Sequence, residues 1–195
     1  MRNIVVALTG ASGVLLGIRL LEKLKENEDV RTSLILSEAA SQNILLETDY
    51  QISEVCVLAD AVYDNADFSA PIASGSYPVD TMVVLPCSMK TLSAICHGYD
   101  ATLIARAGDV TLKERRQLIL CPRETPLHAI HLENMLKLAQ LGVSIIPPIL
   151  GFYTKPKTVE DLISHFLMKI FDAMKLPYSG AKRWGMEDAE RWIGK

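Results

Sequence analysis

Three short turns carry residue types that can bind an anion and move protons. Thr9-Gly10-Ala11-Ser12-Gly13 follows an apolar run and opens a helix-like segment, so its backbone N–H groups can face an anion that the glycines let approach closely. Pro86-Cys87-Ser88-Met89-Lys90-Thr91 repeats this arrangement, and Pro122-Arg123-Glu124 sets a cation beside an acid after a third apolar run. Because ligands bind at the carboxyl ends of parallel strands, the three turns predict one shared binding edge.

The first turn favours a mononucleotide over a dinucleotide. It lacks the G-x-G-x-x-G pattern, and the second strand ends at Ser37, where a dinucleotide site places an Asp or Glu for the ribose. FMN, which lacks the second ribose, is compatible with this turn. A strand-to-helix turn built only for packing explains Gly10 and Gly13 equally well, and Ser88 is also typical of an ordinary helix N-cap.

Two lysines invite opposite interpretations. Lys169 stands at helical spacing from Leu162 and Phe166, which predicts that it projects from the apolar face of the last helix and needs an anionic partner. That partner is a ligand phosphate or a neighbouring carboxylate, and spacing does not choose between them. Lys113 begins a run of charges over 113–116, whose ordinary interpretation is a solvated helix end.

A histidine pair raises the question of a metal site. His128 and His131 are three residues apart, with Glu133 two residues further on. Ligand pairs on a helix usually lie four residues apart, and the sequence offers no third ligand nearby. We therefore predict a structural role for the pair and no metal.

Apolar strand-like runs alternate with segments of helical period. Strands are predicted at 3–8, 32–36, 81–85, 117–121 and 143–147, with one more near 55–58, and helices at 14–25, 38–46, 89–96, 132–141 and 158–174. This order predicts an α/β fold, a Rossmann-like (flavodoxin-like) three-layer sandwich with a mostly parallel sheet and helices on both faces. We expect one domain over 1–195, with a C-terminal helix and tail (about 158–195) closing over the site, and a functional loop at 64–78.

Composition excludes several classes of partner. The chain has 195 residues, 49% of them hydrophobic, a net charge of −3 and a pI near 5.8. Scattered basic residues argue against nucleic acid, and the apolar runs are too short for a membrane span. The N-terminus resembles no targeting signal, so we expect a cytoplasmic protein, and the high apolar fraction favours a homo-oligomer. The four cysteines, Cys56, Cys87, Cys96 and Cys121, are predicted to be reduced core thiols.

Nine ordered blocks resemble the UbiX-type flavin prenyltransferases over nearly the whole chain. They are Thr9–Gly13, Leu46–Asp49, Ala73–Ser76, Pro86–Thr91, Leu112–Arg116, Pro122–Glu124, Ile130–Leu136, Gly151–Tyr153 and Arg183–Gly185. The family, also met as phenylacrylic acid decarboxylase-like flavoproteins, joins a dimethylallyl group to N5 and C6 of reduced FMN. The resemblance implies this activity, without a metal, and delivery of prenylated FMN to a partner UbiD-type decarboxylase in ubiquinone biosynthesis or aromatic acid decarboxylation.

The resemblance also assigns residues. It implies a cofactor site of Gly10, Ala11, Ser12, Ser37, Ser88, Met89, Lys90, Thr91 and Arg123, and a site for the phosphate of dimethylallyl monophosphate made of Arg106, Lys113, Arg123, Tyr153 and Lys169. Ser12, Glu47 and Glu124 match the catalytic positions, and Trp184 would supply an aromatic cover. A dodecamer built from trimers, with sites shared between subunits, is implied as well.

Three alternatives remain beside this activity. A direct aromatic-acid decarboxylase would need a catalytic group that acts on the carboxylate itself, and nothing in the sequence distinguishes such a group from a phosphate site. A flavin-dependent cysteine decarboxylase of related fold usually shows an N-terminal catalytic His and a P-x-M-N-x-x-M-W clamp, whereas this chain has no His before His97 and lacks the clamp. A non-enzymatic FMN carrier would keep both flavin turns without needing Lys113, Tyr153 and Lys169 together.

Several family members carry Arg at the position of Lys169. Because Lys lacks the bidentate fork of Arg, weaker phosphate binding is expected here.

Overall fold

The computed structural model describes residues 1–185. The chain divides into two compact units, Met1–Pro147 and Pro148–Lys195. The first unit contains the sheet and its covering helices, and the second contains the last long helix. The closing of segment 158–195 over a site stays a prediction, and residues 186–195 of that segment lie outside the described residues.

In the described part of the chain, six parallel strands form one sheet with the order β3-β2-β1-β4-β5-β6. This is the strand order of doubly wound Rossmann folds, and the order reverses between β1 and β4. The strands are β1 (Arg2–Leu8), β2 (Val30–Leu36), β3 (Ala61–Asp64), β4 (Thr81–Cys87), β5 (Gln117–Pro122) and β6 (Ser144–Ile145).

Helices connect the strands, and most of them match the predicted segments. They are α1 (Val14–Lys25), α2 (Glu38–Glu47), α3 (Ile52–Cys56), α4 (Met89–His97), α5 (Leu103–Lys113), α6 (Ala129–Gln140) and α7 (Val159–Met174), with a 3-10 turn at Pro71–Ala73. The α/β class and the five main strands are confirmed, although β6 is only two residues long.

Two elements differ from the prediction. The extra strand expected near 55–58 is wrong, because a capping box between Gln51 and Glu54 starts helix α3 there and the strand forms later, as β3. Helix α5 was not predicted. It begins after Thr102, whose side chain caps it, and its less buried polar residues, Arg106, Asp109 and Lys113, recur at helical spacing, a signal that the prediction overlooked.

The sheet is covered on both faces. Every residue from Ile4 to Leu8 is almost fully buried, and successive residues of a strand point to opposite faces. Val5 and Ala7 share a core cluster with Leu92 of α4. On the other face α1 approaches so closely that a Cβ on Gly17 would clash with the carbonyl oxygen of Leu85. Glycine at this position therefore lets α1 lie against the carboxyl end of β4.

A single buried hydroxyl joins the ends of the two central strands. Thr9 follows β1, and its Oγ1 donates to the carbonyl oxygen of Pro86 (2.8 Å) and accepts from the backbone N–H of Ser88 (2.7 Å). The backbone N–H of Thr9 also donates to Pro86 O (3.3 Å). These bonds hold the first and second turns together where the strand order reverses.

Helix α7 buries a different stripe from the predicted one. Ile163, Leu167 and Ile170 are buried, whereas Leu162 is half-buried and Lys169 is exposed. The expectation that Lys169 projects from the apolar face is therefore wrong: of the two positions used to predict that face, Phe166 is buried, but Leu162 lies only at its edge and Lys169 lies outside it. The start of the helix is confirmed, since Thr158 and Asp161 form a capping box.

The four cysteines differ in burial. All four cysteines are free thiols, and Cys87, Cys96 and Cys121 are buried, whereas Cys56 is only half-buried and so does not belong to the core. Burial raises the pKa of the Cys56 thiol.

No helix within residues 1–185 is both long enough and apolar enough to cross a membrane.

Replacing Thr9 with Val should destabilise the protein by about 1–3 kcal/mol, because Val keeps the shape but leaves the part-buried N–H of Ser88 without its acceptor. Urea unfolding measures the loss. Thr111→Val is the matched control: its buried hydroxyl donates to Ala107 O within the same helix, so its loss should stay below about 1 kcal/mol. Equal losses in the two variants would contradict a special role for Thr9.

Candidate functional site

A cavity of about 750 Å³ opens at the carboxyl edge of the sheet. Small-molecule sites commonly enclose roughly 300–1,000 Å³, so it is large enough for a mononucleotide. It lies where the strand order reverses, which is the usual ligand position in doubly wound folds. Five of the nine predicted cofactor residues line it: Gly10, Ser37, Ser88, Lys90 and Thr91.

Three helix N-termini face this cavity. Ser37, Ser88 and Thr102 precede α2, α4 and α5, and all three line the cavity. Each caps its helix, because the side-chain oxygen accepts from the backbone N–H three residues on, at 3.1, 3.3 and 3.3 Å. The N-cap interpretation of Ser88 is therefore confirmed. Helix N-termini carry partial positive charge, so together with the exposed Lys90 they favour an anionic ligand.

The remaining predicted cofactor residues lie beside the cavity. Ala11 and Ser12 belong to the first turn, and Met89 begins α4 directly after Ser88. Arg123 follows β5, and its backbone N–H donates to the carbonyl oxygen of Cys87 (3.2 Å), next to the second turn. The structure thus brings all three predicted turns to one edge.

Packing explains the first glycine of the first turn. A Cβ added to Gly10 would lie 2.5 Å from the Cβ of Ala39, at the start of α2. Gly13 has a φ of 97°, in the left-handed region, and directly precedes α1. The turn therefore packs closely against α2 and also lies at the cavity.

Glu47 reaches the first turn from the far end of α2. Its Oε2 accepts from the backbone N–H of Gly13 at 2.7 Å, across 34 residues of sequence. One of the predicted catalytic acids thus lies next to Ser12. The same contact shows that this N–H of the turn, which was expected to face a ligand anion, is already bound by a carboxylate.

Glu124, the other predicted acid, lies on an exposed turn. Its Oε1 accepts from the backbone N–H of Thr125 at 3.0 Å. The neighbouring Arg123 is exposed as well. Both side chains therefore stand at the rim of the sheet edge, open to a ligand.

Arg106 is half-buried on α5 and already has partners. Its guanidinium donates to Asp100 at 3.1 Å, to Asp109 at 3.3 Å and to the carbonyl oxygen of Ala73 at 3.1 Å. Its positive charge is therefore balanced by two carboxylates within the chain.

Lys113 and the loop at 64–78 are held at the end of α5. Lys113 forms an ion pair with Glu114, and this hydrogen bond holds the pKa of the Glu114 carboxyl below its usual value. Arg116 donates to the carbonyl oxygens of Gly75 (2.7 Å) and Tyr77 (2.8 Å). A Cβ on Gly75 would lie 2.7 Å from Nζ of Lys113. The loop that the sequence marks as functional is thus fastened beside two predicted phosphate-binding residues, Arg106 and Lys113.

The second unit contains a separate aromatic cluster. Tyr153 lies edge-on to Trp184, with ring centroids 5.6 Å apart, and its hydroxyl is 2.6 Å from Nε2 of His165. Arg183 makes two hydrogen bonds to Asp172, at 3.0 and 2.7 Å, which lower the pKa of that carboxyl. The structure thus brings Tyr153 and the predicted aromatic cover together and adds a histidine that the sequence did not single out.

Sequence reasoning missed two residues at the cavity. Thr9 was noted only as part of a block, although its hydroxyl joins the two turns. Asn65 lies in the cavity wall, and its side-chain and backbone oxygens accept from the N–H groups of Ile104 (3.0 Å) and Leu103 (2.8 Å) at the start of α5. Its place in the loop at 64–78 was the available signal, but neither β3 before it nor α5, whose first N–H groups it binds, had been predicted.

The histidine pair has a packed geometry. The rings of His128 and His131 stack with centroids 3.5 Å apart. Within the described residues, no three His, Cys, Asp or Glu side chains are grouped so that they could hold a metal ion.

Comparison with known proteins identifies close relatives. The flavoprotein family matches residues 1–170. The flavin prenyltransferase LpdB of Lactiplantibacillus plantarum is 50% identical over 184 residues, which are 94% of this chain and 98% of the relative. The flavin prenyltransferase UbiX of Methanocaldococcus jannaschii is 51% identical over 183 residues, with the same two coverages, 94% and 98%.

Solved structures agree with this assignment. A dodecameric FMN-dependent UbiX-like decarboxylase from Escherichia coli O157:H7 superimposes with a TM-score of 0.92 at 47% identity, covering 93% of this chain and 98% of that one. AnUbiX (PadA1), solved in complex with FMN and dimethylallyl pyrophosphate, gives 0.92 at 48% identity, with 94% and 97% covered. The peptidyl-cysteine decarboxylase EpiD, at 17% identity and a TM-score of 0.59, shares the fold alone. The chain therefore belongs to the UbiX-type flavin prenyltransferases of the flavoprotein family.

Proposed function

We propose that this protein joins the dimethylallyl group of dimethylallyl monophosphate to N5 and C6 of reduced FMN. The observation that carries the proposal is the cavity at the strand-order reversal, lined by three helix N-termini and Lys90, in a chain of the flavin prenyltransferase family. The product, prenylated FMN, would serve a partner UbiD-type decarboxylase. We place this activity in the cytoplasm.

The cavity fits the flavin. Its volume of about 750 Å³ accommodates a mononucleotide, and the capped starts of α2, α4 and α5 suit a terminal phosphate. Eight of the nine cofactor residues implied by the resemblance lie in the three turns, and the ninth is Ser37. We propose that all nine bind FMN. When bound, reduced FMN supplies the nucleophilic N5 and C6 that accept the dimethylallyl group.

Cationic side chains and a phenol would stabilise the departing phosphate. Ionisation of an allylic phosphate builds negative charge on the leaving group, and fixed donors lower the energy of that charge without a metal. We propose Arg106, Lys113, Arg123, Tyr153 and Lys169 for this role. Arg106 and Lys113 now donate to carboxylates of the chain, so they would exchange those partners for the phosphate.

Three residues would handle protons. We propose that Glu124 accepts the proton at N5 and that Ser12 orients it. Glu47, bound to the N–H of Gly13 beside Ser12, would relay a proton in the later ring closure. Trp184, edge-on to Tyr153, would offer an aromatic face to the developing allyl cation.

The comparison with solved structures also supports a proposal for how the subunits assemble. The relative from E. coli O157:H7 is dodecameric, and we propose a dodecamer built from trimers here, with sites shared between subunits. Exposed apolar side chains on and next to α6 support contact with other copies, because monomeric proteins rarely expose a run of them. They are Leu127, Ile130, Leu132, Leu136 and Leu141.

The activity itself predicts a change in flavin mass. After anaerobic incubation of the protein with reduced FMN and dimethylallyl monophosphate, the extracted flavin should be heavier by one dimethylallyl unit in the mass spectrum. FMN that stays bound but unmodified with both the monophosphate and the diphosphate would overturn the proposed function.

Glu124→Gln should lower kcat by about 100-fold or more, since general acid–base groups typically contribute 10²–10⁴-fold. FMN binding, measured by fluorescence titration, should not change, because the amide keeps the size of the side chain. Glu133→Gln, at an exposed acid of α6, is the matched control and should prenylate at the normal rate. Full activity in Glu124→Gln would remove the proposed proton transfer.

Lys169→Met should raise the KM for dimethylallyl monophosphate about 10-fold, because a charge-assisted hydrogen bond to phosphate is lost. Lys169→Arg should lower the KM below that of the unchanged protein, since Arg can bind phosphate through two parallel bonds. Lys137→Met removes an exposed lysine of α6 and serves as the control. A KM that does not move in either Lys169 variant would exclude the lysine from the phosphate site.

A further inference from the structure

His165 is a buried polar side chain that the proposed chemistry leaves without a role. It is 7% exposed, and its neighbours on α7, Ile163, Phe166 and Leu167, are buried as well. Buried polar groups are almost always hydrogen-bonded, because an unmet group loses its interaction with water. The partner of His165 is therefore the evidence for what it does.

That partner is the hydroxyl of Tyr153. The phenol oxygen lies 2.6 Å from Nε2 of His165, and the two rings meet edge to face with centroids 5.1 Å apart. On another side the phenol ring is edge-on to Trp184. Tyr153 itself is 46% exposed, so its ring would be free to change rotamer if these contacts were absent.

The backbone is shaped to admit the imidazole ring. A Cβ on Gly151 would lie 2.8 Å from Cε1, 3.2 Å from Nδ1 and 3.4 Å from Nε2 of His165. Real Cβ contacts essentially never fall below 3.0 Å. Gly151 therefore lets the ring lie against the segment that carries Tyr153, two residues further along the chain.

The charge state of His165 suits a hydrogen-bond partner of a phenol. Burial, and then the positive charge of Lys169 one helical turn away, lower the pKa of His165, which favours the neutral ring. In the tautomer with the proton on Nε2, the ring donates to the oxygen of Tyr153. The phenol proton is then left for another acceptor, such as a phosphate oxygen.

We propose that His165 is a positioning residue that fixes the hydroxyl of Tyr153 for the phosphate of the allylic donor. This inference rests on the proposed function, in which Tyr153 is one of the phosphate-binding residues. The bond to Nε2 and the space left by Gly151 set the direction of the phenol, and Trp184 limits its rotation.

The test is a double-mutant cycle read by binding rather than turnover. Calorimetry measures the Kd of dimethylallyl monophosphate for the protein loaded with oxidised FMN, which cannot accept the dimethylallyl group. His165→Phe should weaken binding roughly 3- to 10-fold, the usual effect of one hydrogen bond, and His165→Gln should recover most of the loss. In a Tyr153→Phe background, His165→Phe should cause no further loss, because its effect passes through the missing hydroxyl.

A second variant reaches the same bond without altering a polar group. Gly151→Ala should displace the ring and weaken binding of the same phosphate to a similar degree. Phe166→Leu, a neighbouring buried position of α7, is the packing control, and it should lower the melting temperature while leaving the Kd unchanged.

The outcomes separate this inference from the proposed function. Losses that add up in the cycle, or a Kd that moves equally in Phe166→Leu, overturn the role of His165 even if the flavin is prenylated. A non-additive cycle in a protein that yields no heavier flavin supports the role of His165 and overturns the prenyltransferase. A protein that binds no dimethylallyl monophosphate at all overturns both.

Discussion

The cavity depends on the hydrogen bonds that the hydroxyl of Thr9 makes. Parallel strands on either side of a strand-order reversal send their helices to opposite faces, so the two turns that leave β1 and β4 diverge. One buried oxygen accepts from Ser88 and donates to Pro86, which ties these turns together at their point of divergence. The positions of the α4 cap and of the first turn are therefore set relative to each other before any ligand binds.

The electrostatics of the site follow from how helices begin. Ser37, Ser88 and Thr102 each use a side-chain oxygen to cap a helix, and the cavity lies in front of all three. The start of α1 differs, because the carboxylate of Glu47 accepts from Gly13 there. One edge of the sheet thus carries three positive helix ends and, at the first turn, a carboxylate that is bound to the backbone.

The sequence predicted those features that depend on local pattern. Strands, most helices and the three turns carry their signal within a few residues, and parallel topology alone brings the turns to one edge. Contacts across long separations could not be foreseen: Glu47 meets Gly13 over 34 residues, and His165 meets Tyr153 only because Gly151 leaves room. Lys169 was misplaced because one helix face was inferred from two positions. Helix α5 was overlooked although its polar residues Arg106, Asp109 and Lys113 recur at helical spacing.

The ion pairs on α5 set a threshold for the anions that this surface can attract. Arg106 and Lys113 already hold carboxylates, so a small anion with one charge gains no electrostatic advantage by displacing them. In the proposed function a phosphate monoester would replace these carboxylates, and it carries more charge and more acceptor oxygens than they do. Cations that already hold carboxylates in this way favour anions of higher charge density over anions that carry a single charge.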